Sequence, residues 1–147
     1  MLLRVDVAGL CHSDLHILDG MIPMIAASAA KRGTTMDPLA LSHEIGGTIM
    51  AVGDGVDASL VGKERVLYPW LGCGKCMQCT DPDSDEIYCM GREVGMASRT
   101  FGTSSWQNGG FASHLLVPDT KYLVEVQDPK KLAMAATYTC AGLTAFS

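Results

Sequence analysis

Between Leu71 and Asn108 the chain loses all regular hydrophobic patterning, and four of its six cysteines fall inside that stretch. Cys73-Gly74-Lys75-Cys76-Met77-Gln78-Cys79, followed by Cys89, gives spacings of two, two and nine intervening residues. Gly, Cys, Asp and Ser dominate here, so little apolar area is available to order the segment. A structureless run of that length is rare inside a compact domain, and something other than a core must hold part of it. Three thiolates at C-x2-C-x2-C spacing can wrap one tetrahedral ion, and a fourth from across a loop closes the shell. Gly72 and Gly74 permit the tight turns that wrapping requires. Such a closed four-sulfur site has no open position, so its role is structural and its binding energy becomes folding energy. The expectation is a zinc-stapled lobe over about residues 71–90. Unligated surface thiols and disulfides are the alternatives. A rubredoxin-like iron site would use two separated cysteine pairs instead.

The compartment bears on that choice. Met1–Leu10 carries Asp6 and a single basic residue, so it does not read as a secretory signal. A cytoplasmic, reducing setting is the expectation, and there cysteine clusters favour metal over disulfides. A hydrophobic share of 48% with 18% charged residues is a globular composition. The net charge of -5 argues against a nucleic-acid partner, and no apolar run reaches the length of a membrane span.

Around the lobe the pattern is mostly strand. Leu2–Val7 alternates from its second residue. Ile45–Val52 is a β-branched run ended by Gly53-Asp54-Gly55, and Arg65–Tyr68 is a short strand before Pro69. Gly110–Val117 and Tyr122–Val126 read as two strands joined by the Pro118-Asp119 turn. Asp128-Pro129 reads as a helix start, and Lys131–Phe146 is helix-compatible although Thr137-Tyr138-Thr139 weakens it. Met21–Pro38 reads as a loop, which the resemblance given below implies to be a mobile one on the substrate side.

Two cysteines remain, Cys11 and Cys140, and the chain also carries Cys11-His12-Ser13-Asp14 and Ser42-His43-Glu44-Ile45-Gly46-Gly47. Two thiolates and one imidazole with an open fourth position is a known catalytic zinc arrangement. On the residues alone, a lone cysteine such as Cys140 in an Ala-rich segment is more often a small core residue.

Cys11-His12-Ser13-Asp14 together with His43-Glu44-x-x-Gly47-x5-Gly53-x2-Val56 resembles the signature of zinc-containing medium-chain alcohol dehydrogenases. The cysteine lobe sits where that family keeps its structural zinc. Gly109-Gly110-Phe111-Ala112 resembles the family's Gly-Gly-aromatic-Ala strand, and Cys140-Ala141-Gly142-Leu143-Thr144 resembles the segment with the third catalytic ligand. These matches keep the family's order and run from Cys11 to Thr144.

The resemblance implies a mostly β chaperonin-10-like barrel with short helices and two zinc ions. Cys11, His43 and Cys140 would hold the catalytic ion, leaving a fourth position to water or a substrate oxygen. Asp14 would accept a hydrogen bond from the far nitrogen of His43 and fix its tautomer; on its own, Asp14 reads as a helix cap or turn residue. Glu44 would sit beside the metal. Ser13 would bond the reacting hydroxyl and His16 would pass its proton towards solvent, so that the alcohol ionises near neutral pH. His12 and Thr144 would touch a nicotinamide cofactor, NAD or NADP, at its pyrophosphate and its ring. His114 matches no ligand and reads as a strand surface residue.

The family has Gly where this chain has Ser42. If that position needs φ above zero, a serine costs on the order of 1 kcal/mol there. The nine-residue gap before Cys89 is longer than usual, an extension a loop tolerates cheaply. No Gly-x-Gly-x-x-Gly turn occurs in the 147 residues. The chain is therefore expected to be the metal-binding half of a dehydrogenase of alcohols or carbonyls, without the nucleotide-binding domain and without dehydrogenase activity alone. As it starts inside a strand, self-association as a homodimer is expected. Two other readings are a zinc-water esterase and a non-catalytic zinc-stabilised binding module.

Overall fold

The computed structural model describes residues 1–19, 40–84, 86–89, 100–102 and 108–146. Met21–Pro38, read above as a substrate-side loop, lies outside the described residues.

Five antiparallel strands make one sheet. They are β1 (Leu2–Gly9), β2 (Glu44–Ala51), β3 (Glu64–Leu67), β4 (His114–Leu116) and β5 (Leu123–Glu125), in the spatial order β4-β1-β2-β3-β5. The alternation seen at the start of the chain is real: Leu3 is fully buried while Arg4 and Asp6 face outwards. Arg4 Nε donates to Asp6 Oδ1 at 2.8 Å and Thr48 Oγ1 to Asp6 Oδ2 at 2.5 Å, which ties the exposed faces of β1 and β2. At Gly47 the two strands approach so closely that a Cβ would meet the Arg4 carbonyl.

β4 and β5 follow one another in sequence but lie at opposite edges of the sheet, where they pair with β1 and β3. The core cluster of Leu3, Ile45, Ile49, Leu67, Phe101, Leu115, Val117 and Tyr122 takes side chains from both edges, so the sheet curls round its own core. Gly110–Val117 is not one strand. His114–Leu116 pairs with β1 and the Ser113 carbonyl accepts from Val5 N, while Gly109, Gly110 and Phe111 donate their N–H groups to the carbonyls of Ala40, Ser42 and Leu41. The Gly-Gly-aromatic-Ala segment thus lies along residues 40–42 instead of within the sheet. His114 is exposed on β4.

The helices are short. α1 (His12–Leu18) has Cys11 as its N-cap, with the Asp14 side chain returning to the Cys11 N–H. The sequence pattern had marked only its capping residue, Asp14, and not the helix. α2 (Met77–Thr80) lies in the cysteine lobe, beside a 3-10 turn at Glu86–Tyr88. The expected helix start is present: Asp128 Oδ1 accepts from Lys130 N ahead of the Pro129–Lys131 turn. α3 (Leu132–Thr137) then packs Leu132 and Ala136 against Val66. At Thr137-Tyr138-Thr139 the helix does not end. It widens into a π-turn over Tyr138–Gly142 and resumes as α4 (Leu143–Phe146). Among the described residues no helix is long and apolar enough to cross a membrane.

Candidate metal centres

The lobe cysteines converge. Cys73, Cys76, Cys79 and Cys89 place their sulfurs within 4.8 Å of one another, with neighbouring Sγ–Sγ distances of 3.9, 3.5 and 3.9 Å. Four sulfurs at about 2.3 Å from one tetrahedral ion stand about 3.8 Å apart, so the donors fit zinc without rearrangement. A disulfide needs about 2.05 Å, and all six cysteines are free thiols. The backbone helps to hold the sulfurs: Cys76 N donates to Cys73 Sγ and Cys73 N to Cys89 Sγ, each at 3.3 Å. Their acidities are driven apart. The Lys75 N–H is the largest cause bringing Cys73 down to about 6, and burial pushes Cys79 up to about 12. A divalent cation at the centre would allow all four to be thiolates.

Glu86 joins this lobe to the sheet. Its Oε2 accepts from Gly72 N at 3.0 Å and from the Tyr122 hydroxyl at 2.8 Å, and its Oε1 from Lys121 Nζ at 2.6 Å. Burial disfavours the charge on Glu86, but the Lys121, Tyr122 and Gly72 donors outweigh it and hold the carboxyl below its ordinary range. A carboxyl depressed in the folded state contributes stability above its unfolded pKa, and loses it as pH falls through the folded value. Glu86→Gln should therefore lower stability by about 1–3 kcal/mol at pH 7, the range for hydrogen bonds to a charged group. The gap from wild type should shrink as pH drops below about 4, which chemical denaturation at both pH values will measure. The sequence reading did not find Glu86. Its place three residues before Cys89 was visible, but its partners lie across the fold.

The second group is assembled over a longer span. Cys11 at the start of α1, His43 just before β2 and Cys140 in the π-turn bring one ligand atom each within 4.8 Å of the others. The two sulfurs are 3.7 Å apart, again a tetrahedral zinc edge. His43 is 3% exposed, and its Nδ1 is buried without a hydrogen-bond partner. Burial lowers the His43 pKa while Asp14 opposes it, which favours the neutral imidazole that ligates metal. Burial, then the facing Cys11 sulfur, pushes Cys140 up to about 12, with Glu44 and Asp14 adding to the rise. Two opposed sulfurs with carboxylates nearby form an electron-rich donor set that a cation would neutralise.

The surrounding residues fall into place unevenly. Asp14 is fully buried, but its Oδ1 stands 3.9 Å from His43 Nδ1, beyond hydrogen-bond reach. Its oxygens accept instead from Cys11 N and Ser42 N, each at 2.9 Å, so here it ties together the two ligand-bearing segments and caps α1 as well. Glu44 is 5% exposed, and its carboxyl is raised first by burial and then by Asp14. Ser13 Oγ lies 3.7 Å from Cys11 Sγ. The rings of His12 and His16 stack on the outside of α1, with centroids 4.5 Å apart. Thr144 is on α4, with its hydroxyl donating to the Cys140 carbonyl at 2.9 Å. Ser42 has φ +77, the condition under which a serine in place of glycine carries strain.

Comparison with known proteins follows the same outline. The family model described as the alcohol dehydrogenase GroES-like domain matches residues 1–128. The NAD-dependent alcohol dehydrogenase of Sulfolobus acidocaldarius is 30% identical over 149 aligned residues, covering 99% of this chain and 38% of that enzyme. Among solved structures, the alcohol dehydrogenase of Aeropyrum pernix superposes with a TM-score of 0.75 at 26% identity, over 99% of this chain and 38% of its own. The cobalt- and zinc-bound thermostable alcohol dehydrogenase of Pyrobaculum aerophilum does so with a TM-score of 0.73 at 26% identity, over the same shares. The chain thus spans well under half the length of these relatives.

Proposed function

This chain belongs to the alcohol dehydrogenase GroES-like domain family, and on that premise we propose that it is the metal-binding half of a zinc-dependent dehydrogenase. In this reading Cys73, Cys76, Cys79 and Cys89 hold a structural zinc, and Cys11, His43 and Cys140 hold a catalytic one. The reaction served is alcohol–carbonyl interconversion with NAD or NADP. The observation that carries the proposal is the meeting of three ligand atoms from positions 11, 43 and 140 within 4.8 Å. Sequence-distant thiol, imidazole and thiol groups at tetrahedral spacing are what an open zinc site requires, and core packing does not demand them.

Zinc at that position supplies Lewis acidity to a substrate oxygen. The protein's own groups do the rest. Ser13, two residues past Cys11 in the first turn of α1, accepts a hydrogen bond from the reacting hydroxyl and gives up its own proton as that one arrives. His16, one turn further along the same helix, relays it outwards from a partly exposed position. Glu44, held in a dry position, adds negative charge beside the ligands, and Asp14 keeps the Cys11 and His43 segments in register. His12 and Thr144 offer contacts to the cofactor. Self-association through the β4 edge, where Leu116 is 72% exposed, belongs to the same proposal.

The test is metal stoichiometry. Metal-replete protein should carry two zinc ions per chain, falling to one in a Cys11→Ser/Cys140→Ser variant by elemental analysis. One ion in both proteins would remove the catalytic site and leave the lobe.

A further inference from the structure

We propose that Ser42 is a positioning residue for the three-ligand site: its hydroxyl latches the end of β1, which leads into Cys11, to the turn that leads into His43. The inference rests on the metal reading given above and adds a residue to it. Ser42 alone, among the described residues other than glycine, has a positive φ, at +77, and it is fully buried. A side chain in that backbone region is strained, so the conformation is held by what surrounds it.

Those surroundings are specific. Ser42 Oγ donates to the Gly9 carbonyl at 2.8 Å, two residues before Cys11. Ser42 N donates to Asp14 Oδ1 at 2.9 Å, and the other oxygen of Asp14 accepts from Cys11 N at 2.9 Å. The Ser42 carbonyl accepts from Gly110 N at 2.9 Å. A Cβ at Gly102 or at Gly109 would strike that carbonyl, so both neighbours must be this small. Ser42 therefore reaches the Cys11 segment twice, directly through Gly9 and indirectly through Asp14. A glycine would keep the second link and lose the first.

The direct link acts on the distance between two metal ligands. Gly9 pairs with Glu44 at the last rung of the β1–β2 ladder, and beyond it one segment runs on to Cys11 and the other back to His43. The hydroxyl extends the ladder by one cross-connection at the point where the ligands leave the sheet. Ligands fixed before the ion arrives need less ordering when it binds.

Two variants separate this from a structural role. Ser42→Gly removes the hydroxyl and relieves the φ demand together, so the thermal midpoint with zinc in the four-cysteine lobe and the three-ligand site empty should change little. Ser42→Ala removes the hydroxyl alone and should melt lower. With zinc held in the four-cysteine lobe, Co²⁺ is titrated into the three-ligand site and followed by its d–d absorption. Both variants should bind Co²⁺ about five- to tenfold more weakly, the loss of one hydrogen bond, with shifted d–d bands, while zinc in the lobe stays unchanged. If Ser42→Ala does not fold, Ser42→Gly decides alone. Wild-type affinity and spectrum in Ser42→Gly would overturn the inference and leave the metal reading standing. A wild-type chain with no Co²⁺ signal sensitive to Cys11→Ser would overturn the metal reading and the role of Ser42 with it.

Discussion

Cys79→Ser should cost this protein far more stability than Cys11→Ser. A structural zinc contributes on the order of 10 kcal/mol of apparent binding energy to the segment that it orders, and a whole domain is stable by only about 5–15 kcal/mol. The lobe has few apolar side chains to fall back on: among its described residues Met77 and Tyr88 are exposed, and Cys89 is the buried hydrophobic one. The lobe is also not a free appendage. Trp70 bridges to Thr100, Phe101 N donates to the Pro69 carbonyl at 3.2 Å, and Phe101 is fully buried in the main core. Melting the segment between residues 71 and 100 therefore loosens the residue that follows it in the core. Cys11, in contrast, lies two residues past β1, a strand held by both β2 and β4, and its backbone bond to Asp14 survives the substitution. Thermal midpoints in one zinc-containing buffer will measure the difference. Several kcal/mol lost in Cys79→Ser translates to a drop of roughly 10 °C or more, with Cys11→Ser within a few degrees of wild type. The reverse order would show that the structural and catalytic assignments are exchanged.

The 147-residue chain, loaded with zinc, should give no measurable NAD-dependent alcohol oxidation. Hydride transfer needs the nicotinamide carbon held against the substrate carbon, and such orientation is worth roughly 7–11 kcal/mol. Against that, the chain offers the exposed His12 and the exposed Thr144, whose hydroxyl is already engaged with the Cys140 carbonyl. Among the described residues its helices are short, and the sequence has no Gly-x-Gly-x-x-Gly turn to lead into one and cradle a pyrophosphate. The assay is NADH appearance with primary, secondary and aromatic alcohols at high cofactor concentration. Zinc-dependent turnover abolished by Ser13→Ala would overturn the expectation. Chelator-sensitive ester hydrolysis lost in Glu44→Gln would instead favour the zinc-water esterase, for which the buried Glu44 would serve as base.

Much of the fold was legible locally. The alternation of Leu2–Val7, the β-branched Ile45–Val52 run and the Asp128-Pro129 start all match observed elements, because each is written in neighbouring residues. The cysteine lobe was the clearest, since a chelate with two-residue gaps closes within a few turns of chain whatever the rest does. α1 was not legible. It runs for seven residues without a strong apolar period, and its cap depends on an aspartate whose other oxygen is engaged by Ser42, far along the chain. Nor was the separation of β4 from β5, because a turn between two strands says nothing about which partners each will find.

The two metal groups divide along the same line. Sequence by itself determined the four-sulfur lobe, the strand-rich architecture and, through ordered motifs, the identity of Cys11, His43 and Cys140 as a set. Tertiary structure decided what brings that set together. It curled the sheet, widened the helix at Tyr138–Gly142 so that Cys140 faces Cys11 at 3.7 Å, and placed Asp14 and Ser42 across the two ligand segments. The reason is range: spacing within a few residues fixes a local chelate, whereas ligands separated by 129 positions meet only once the sheet between them has closed.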